Sequence, residues 1–275
     1  MYMTTTKIAF DARILRKTIL RMSHIGKTAH IACAFSLVEI LAVLYRDFVS
    51  YPKNDPENSD RDFLILSKGH GVMAQYACLK ELGWLSEDEI LNYFADGSLL
   101  KGLSDSRVYG LEVTSGSLGH GFSVGVGMAL GAKLRKTEQK TYVIVGDGEI
   151  NEGAIWEGAL FAAHHELHKF MVIVDQNGYQ AMGSTDEILK LHDLQSKFES
   201  FGFESITVDG HDEVALKDTI ARLELSSSTK PKAVVAKTVK GKGVPFMEND
   251  NLWHYTRLSP EAYKLAVLAV DGVVK

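Results

Sequence analysis

Cysteine is scarce in this chain, long apolar runs are missing and basic charge is in deficit. Two cysteines in 275 residues, Cys33 and Cys78, rule out a disulfide framework and lead to the expectation of a reducing, cytoplasmic setting. No stretch of about eighteen apolar residues occurs, so no membrane-spanning helix is expected. The opening segment MYMTTTKIAFDARILRK has no apolar core leading to a small-residue cleavage site. With 30 Lys and Arg against 35 Asp and Glu, the net charge is -5 and the pI near 6.1. That balance gives no field for nucleic acid, although a metal and backbone amides can still hold an anion locally. No internal repeat, low-complexity tract or linker divides the chain. What remains is a 45% hydrophobic sequence long enough to bury a sizeable core.

Its apolar residues are patterned. Helical spacing runs through 10–24 (Ile14, Leu15, Ile19, Leu20) and 35–48 (Leu37, Ile40, Leu41, Leu44), and the polar, proline-containing YPKNDPENSDRD follows as a loop. FLILS at 63–67 reads as a short buried strand, followed by a helix from about His70 to Leu82 that Gly83 closes. TYVIV (141–145) and FMVIVD (170–175) are continuous β-branched runs with the helical AIWEGALFAAHHEL between them. SITVDG (205–210) and KAVVAKT (232–238) repeat that unit around EVALKDTIARLEL. The pattern predicts a single α/β domain over residues 1–275: a parallel sheet flanked by helices on both faces, with a helical N-terminal extension.

Where the second strand ends, the sequence reads VIVGDGEINEG. Ligands of open parallel sheets gather beyond the carboxyl ends of the strands, which is where Gly146-Asp147-Gly148 and, one strand later, Asn177 fall. Glycines admit a close-lying phosphate, a helix start offers free N–H groups, and a carboxylate with an amide suits Mg²⁺. The chemistry indicated is a metal-bridged diphosphate. Taken singly, GDG is also an ordinary strand-to-helix turn and QNG an ordinary asparagine-glycine turn.

The whole segment GDGEINEGAIWEGALFAAHHELHKFMVIVDQN resembles the thiamine diphosphate motif, which opens with GDG and closes with asparagine. More narrowly, residues from about 10 to 265 resemble the N-terminal, diphosphate-holding half of transketolase. The resemblance implies the thiamine diphosphate-binding fold, with Mg²⁺ held by Asp147, Asn177 and the main-chain carbonyl of Tyr179, and the diphosphate beside Gly146 and Gly148. Glu152 matches a glutamate that supports the dimer interface. TAHIA at 28–32 stands where the family has serine-glycine-histidine-proline-glycine, which makes His30 an active-site histidine with altered neighbours. LSKGH at 66–70 places His70 near the thiazolium and diphosphate, and WHY at 253–255 places His254 beside the diphosphate and the reacting centre. TSGSLGHGFSVGVGMALGAKL at 114–134 makes Gly116 and Leu118 contacts of the aminopyrimidine. In the same segment, the paired glycines 121/125 and 127/131 indicate close packing at the cofactor or a subunit interface rather than in a membrane. His120 reads as a polar packing residue and His211 as a loop or helix-cap residue; His24, His164, His165, His168 and His192 read as structural or exposed.

One departure stands out. In KGLSDSR, Leu103 occupies the place of a histidine that binds the donor's hydroxyls in the family. An apolar side chain cannot satisfy a buried hydroxyl but accommodates a methyl group, which favours an acetyl donor such as pyruvate; Ser104 or Asp105 is the alternative source of the contact. The pyrimidine-binding half, with the glutamate that activates the cofactor, is expected on a separate chain of an α₂β₂ assembly, together with much of the site for the acceptor's phosphate. The expected activity is transfer of a two-carbon ketol unit from a ketose phosphate to an aldehyde, with His30, His70 and His254 at the reacting centre and His30 and His254 moving protons. The alternatives are transfer of an acetyl or unusual ketol unit, and a non-catalytic cofactor-binding or regulatory subunit.

Overall fold

The computed structural model describes residues 8–273. At the N-terminal side, Asp11 caps α1 (Ala12–Gly26) by accepting from the Arg13 and Ile14 amides, and the helix stops at Lys27 in the left-handed region. Next come α2 (Ile31–Phe35) and α3 (Val38–Val43), β1 (Phe63–Leu66), α4 (Val72–Glu81), α5 (Glu87–Leu91) and α6 (His120–Arg135). The chain then alternates through β2 (Thr141–Gly146), α7 (Gly153–His164) and β3 (Phe170–Gln176). A short hairpin, β4 (Tyr179–Gln180) with β5 (Gly183–Ser184), leads into α8 (Thr185–Ile188) and α9 (Leu194–Ser200). β6 (Glu204–Asp209), α10 (Glu213–Glu224), β7 (Lys232–Lys237) and α11 (Pro260–Val270) complete the order.

Five strands form one parallel sheet in the order β1-β2-β3-β7-β6. Because side chains alternate across a strand, two apolar rows result. Ile65, Val143, Val172 and Ala233 share a register row and face a core filled by α6, α7 and α9. Leu66, Ile144, Ile173 and Val234 form the adjacent row and face the larger core under α1, α3, α4 and α10. Each fully buried aliphatic side chain stabilises the fold by roughly 1.5–3 kcal/mol. Among the described residues, no helix is long and apolar enough to cross a membrane.

Three local features differ from the sequence expectation. The helix expected over 35–48 is broken: α2 ends at Phe35, α3 begins at Val38, and residues 44–48 form a wider turn. At the break, the Ser36 hydroxyl lies within hydrogen-bond reach of the Cys33 carbonyl (3.2 Å) and the Asp175 carboxylate (2.7 Å), so its side chain competes with the helical ladder. His70 lies in a tight turn, Gly69–Gly71, ahead of α4 rather than inside it. The paired glycines separate by face. A Cβ at Gly121 would lie 2.6 Å from the Ser67 Cα and one at Gly125 2.3 Å from Val143, so these two let α6 close onto the sheet, whereas Gly127 meets nothing within 4 Å.

Candidate active site

Gly146 of β2 and Asp175 of β3 are register partners, so Asp147 and Asn177 leave neighbouring strand ends side by side. Asp147 is buried, and its two carboxylate oxygens accept from the Gly148 amide (2.8 Å) and the Gly178 amide (2.6 Å). Burial, and then the nearby charge of Asp175, push its carboxyl up to about 7. Asn177 donates through Nδ2 to Asp175 (3.2 Å) and accepts at Oδ1 from the Tyr179 amide (3.1 Å). Beyond it, the hairpin from Tyr179 sets Gln180 against Gly148, where an added Cβ would come within 2.7 Å of the Gln180 Cβ. The Gln180 Nε2 group is buried with no partner among the described residues.

Two lysines escaped the sequence reading. Lys68, almost fully buried, donates to Asp175 at 2.5 Å, and Ser36 and Thr238 donate to the same carboxylate. Burial depresses the Lys68 ammonium, but the charge of Asp175, its hydrogen bond to Lys68 and the nearby Cys33 and Asp147 together outweigh it and the net shift is upward. Lys240, also fully buried, donates to Asn251 Oδ1 (2.7 Å) and His254 Nδ1 (2.8 Å), and burial lowers its pKa. Lys68 sat in plain view within LSKGH, but its partner lies 107 residues away.

The three nominated histidines form one group, with ring centroids 5.4 Å apart for His30 and His70, 5.5 Å for His30 and His254, and 5.8 Å for His70 and His254. His30 adopts a left-handed backbone, φ 67°, between α1 and α2. Burial followed by the positive charge of Lys240 lowers the pKa of His30 and brings His254 down to about 3; burial and Lys68 hold His70 well below its usual value. All three imidazoles are therefore neutral near pH 7, beside two buried ammonium groups. Cys33 Sγ lies 3.6 Å from His254 Nδ1, and the ligand atoms of Cys33, His70 and His254 fall within 4.8 Å of one another. The Lys240 ammonium on that same nitrogen opposes a cation there, so the oxygen-rich set at Asp147 and Asn177 is the metal candidate.

All ten nominated positions line a single cavity of about 290 Å³: His30, His70, Gly116, Leu118, Gly146, Asp147, Gly148, Asn177, Tyr179 and His254. Leu103 also lines it, within 3.1 Å of where a Cβ on Gly116 would sit. Neither alternative to Leu103 reaches the lining: Asp105 is held by Arg107 at 2.6 Å, and the buried Ser104 hydroxyl has no partner among the described residues. Glu149 was missed. Almost fully buried, it accepts from Ser67 Oγ and the Gly119 (2.7 Å) and Gly146 (3.1 Å) amides, so it ties β1, the start of α6 and the end of β2 together. Glu152 is exposed in this chain, and so is His120, which does not pack. His211 is more than a loop residue: Nδ1 pairs with Glu39 at 2.9 Å while Nε2 accepts from the Val239 amide at 2.8 Å.

Carboxylate, amide and ammonium groups gathered at the carboxyl ends of parallel strands define the class, an α/β domain built to bind a diphosphate cofactor. The chain belongs to the transketolase family: residues 11–266 match its N-terminal module, described as transketolase, thiamine diphosphate binding domain. It is 35% identical over 256 residues to one of the subunits of the apulose-4-phosphate transketolase of Phocaeicola vulgatus, covering 93% of this chain and 91% of that one. It is also 35% identical over 264 residues to the 6-deoxy-6-sulfo-D-fructose transketolase subunit SqwG of a Clostridium species, covering 95% of each. The crystal structure of transketolase from Campylobacter jejuni superposes with a TM-score of 0.87 at 27% identity, over 98% of this chain and 43% of that one. The chain thus spans nearly all of the subunit-sized relatives and less than half of the longer, solved transketolase.

Proposed function

We propose that this chain is the N-terminal subunit of a heteromeric transketolase that moves a two-carbon ketol unit from a ketose donor to an aldehyde acceptor. The observation that carries the reading is the convergence of Asp147, Asn177 and the Tyr179 hairpin at two adjacent strand ends, above the buried Lys68–Asp175 pair. These residues fit a metal-bound diphosphate: Asp147 is a buried carboxylate without a cation of its own, Gln180 Nε2 is an unpartnered donor, and Lys240 adds positive charge. Asp147, Asn177 and the Tyr179 carbonyl would hold Mg²⁺; Gly146, Gly148, His70 and His254 would face the diphosphate, with Gly116 and Leu118 toward the aminopyrimidine. Bound thiamine diphosphate supplies the electron sink for carbon–carbon cleavage.

The chain's own residues handle protons. Neutral His30 is an acceptor for a hydroxyl proton of the donor, whereas Lys240, donating to His254 Nδ1, fixes the tautomer that carries hydrogen on Nε2, so His254 presents an N–H to the oxygen that gains charge as the bond breaks. Residues 1–275 form a single diphosphate-binding domain, and a separate pyrimidine-binding chain completes an α₂β₂ assembly in the cytoplasm. Support for a covering partner comes from α6 and α7, where Val124, Leu160 and Phe161 stand 38%, 58% and 43% exposed, Gly127 meets nothing within 4 Å and Glu152, just ahead of α7, is exposed.

Leu103 in the cavity lining favours a second reading, transfer of an acetyl or unusual ketol unit. Co-purification with a pyrimidine-domain chain, followed by turnover of xylulose 5-phosphate against pyruvate, separates them. Ketose turnover supports ketol transfer, and pyruvate turnover alone supports the second reading. Cofactor binding without turnover of either points to another donor or to a non-catalytic subunit. Asp147→Ala is expected to abolish Mg²⁺-dependent cofactor binding, and unchanged activity of the assembled complex would remove the central assignment.

A further inference from the structure

A second cavity, about 350 Å³, shares His30 and Leu103 with the first. The rest of its wall is Thr28, Gly102, the apolar Ala29 and Phe94, the phenol of Tyr255 and the basic Lys27, Lys101 and Arg257. No aspartate or glutamate lines it. Among the described residues none of the three basic side chains makes an ion pair, whereas the molecule's other cations are widely paired, as in Arg46–Glu213, Arg61–Glu112 and Lys232–Glu204. Asp105, the carboxylate that feels the charge of Lys101, is taken by Arg107. Three like charges around one concavity repel each other and concentrate anions in it.

The backbone around this cavity is unusual as well. Lys27, His30 and Phe94 take φ values of 48°, 67° and 61°, three of the ten non-glycine residues with positive φ among the described residues. Such conformations persist where the surrounding structure imposes them, and they cluster at ligand sites. The diphosphate is already provided for in the first cavity by Lys68 and Asp147, with Lys240 behind the lining residue His254. An anion in the second cavity therefore belongs to a different molecule, one that also reaches His30.

We propose that Lys27, Lys101 and Arg257 form a subsite for the terminal anionic group, phosphate or sulfonate, of the sugar substrate, past an apolar contact at Leu103. The proposal rests on the ketol-transfer reading and assigns to this chain a part of anion recognition that its sequence left to the partner.

The test uses the assembled complex with Lys101→Ala, Arg257→Ala and the pair, and three donors: xylulose 5-phosphate, 6-deoxy-6-sulfofructose and neutral erythrulose. KM for an anionic donor is expected to rise roughly ten-fold for each cation removed, the factor that one charge-assisted hydrogen bond commands. Turnover of erythrulose and cofactor affinity are expected to stay within about two-fold. A rise confined to one anionic donor identifies which of the two the subsite takes. An unchanged KM for both anionic donors, or an equal loss with erythrulose, overturns the proposal. Because the complex could fail to turn over any ketose, ³¹P line broadening of glycerol 3-phosphate by this chain, with thiamine diphosphate and Mg²⁺ in excess, gives an activity-independent readout. Broadening lost in the pair variant supports the subsite even if ketol transfer fails, and broadening that is absent or survives the pair substitution overturns it.

Discussion

With the Asp147 carboxyl raised to about 7 by burial and by Asp175, cation binding there, as proposed, would be a proton-release reaction. Below pH 7 a proton competes with the metal, so Mg²⁺ affinity is expected to rise about ten-fold per pH unit up to that point and flatten above it; titration calorimetry between pH 5.5 and 8.5 measures the slope, and a flat profile would contradict the role. Lys68 and Asp175 form the opposite case, a pair already neutralised inside the protein with side chains 2% and 0% exposed. Lys68→Met leaves a buried carboxylate with its hydrogen bonds but without its cation and is expected to cost about 3–5 kcal/mol of stability, much of it restored by the double substitution with Asp175→Asn; chemical denaturation of both variants decides this. Legibility followed sequence distance. Asp147 and Asn177 could be read because each sits in a local turn at a strand end, whereas the Lys68–Asp175 bond joins residues 107 apart and Glu149 stood unremarked beside the glycines it holds.

The strands were readable because apolar, β-branched runs leave few alternatives, and the five expected strands fall within one or two residues of their observed ends. The 35–48 helix was misjudged because periodicity is blind to a serine that bonds its own backbone, and the two-residue strands β4 and β5 are too short to have a period. A third element, the turn after β7, also lay beyond periodicity. His211 accepts from its first residue, Val239, and Arg16 donates to the Lys242 carbonyl at 2.8 Å, with Glu39 joining Arg16 to His211. Lys240 lies between these two anchors. His211→Ala is expected to speed amide exchange over 239–249 and weaken cofactor binding several-fold while leaving the β2 and β3 amides protected. The same network carries a pH signature. Burial alone raises the Glu39 pKa, but hydrogen bonds from His211 and the charge of Arg16 reverse this and hold it at about 2. The resulting stabilisation, on the order of 3 kcal/mol, is fully present above the unfolded value near 4.5 and is lost as pH falls toward 2.

At the scale of the whole molecule, both helical layers leave apolar side chains at the surface. Ile14 and Ile25 of α1 and Val214 of α10 are exposed outside the larger core, and Leu160 and Phe161 of α7 are open to solvent on the other face. Leu160→Asp with Phe161→Asp is expected to lower the assembled mass seen by light scattering without changing the chain's own thermal midpoint by more than about 2 °C, since both side chains are already exposed. The sequence pattern located the glycines of α6 but could not tell which pair faces the sheet, because that depends on a rotation set by the packing of Ser67 and Val143. The shared rows of the sheet have a further consequence. Leu66, Ile144, Ile173 and Val234 are aligned across four strands, and the same alignment sets Gly146 opposite Asp175. The apolar ladder is thus the gauge by which the polar ends are spaced, and a one-residue slip would reverse every side chain on the strand that slipped. Core substitutions that never touch a ligand can therefore detune cofactor binding, and a survey of inactive variants would find lesions in the gauge as well as at the seat.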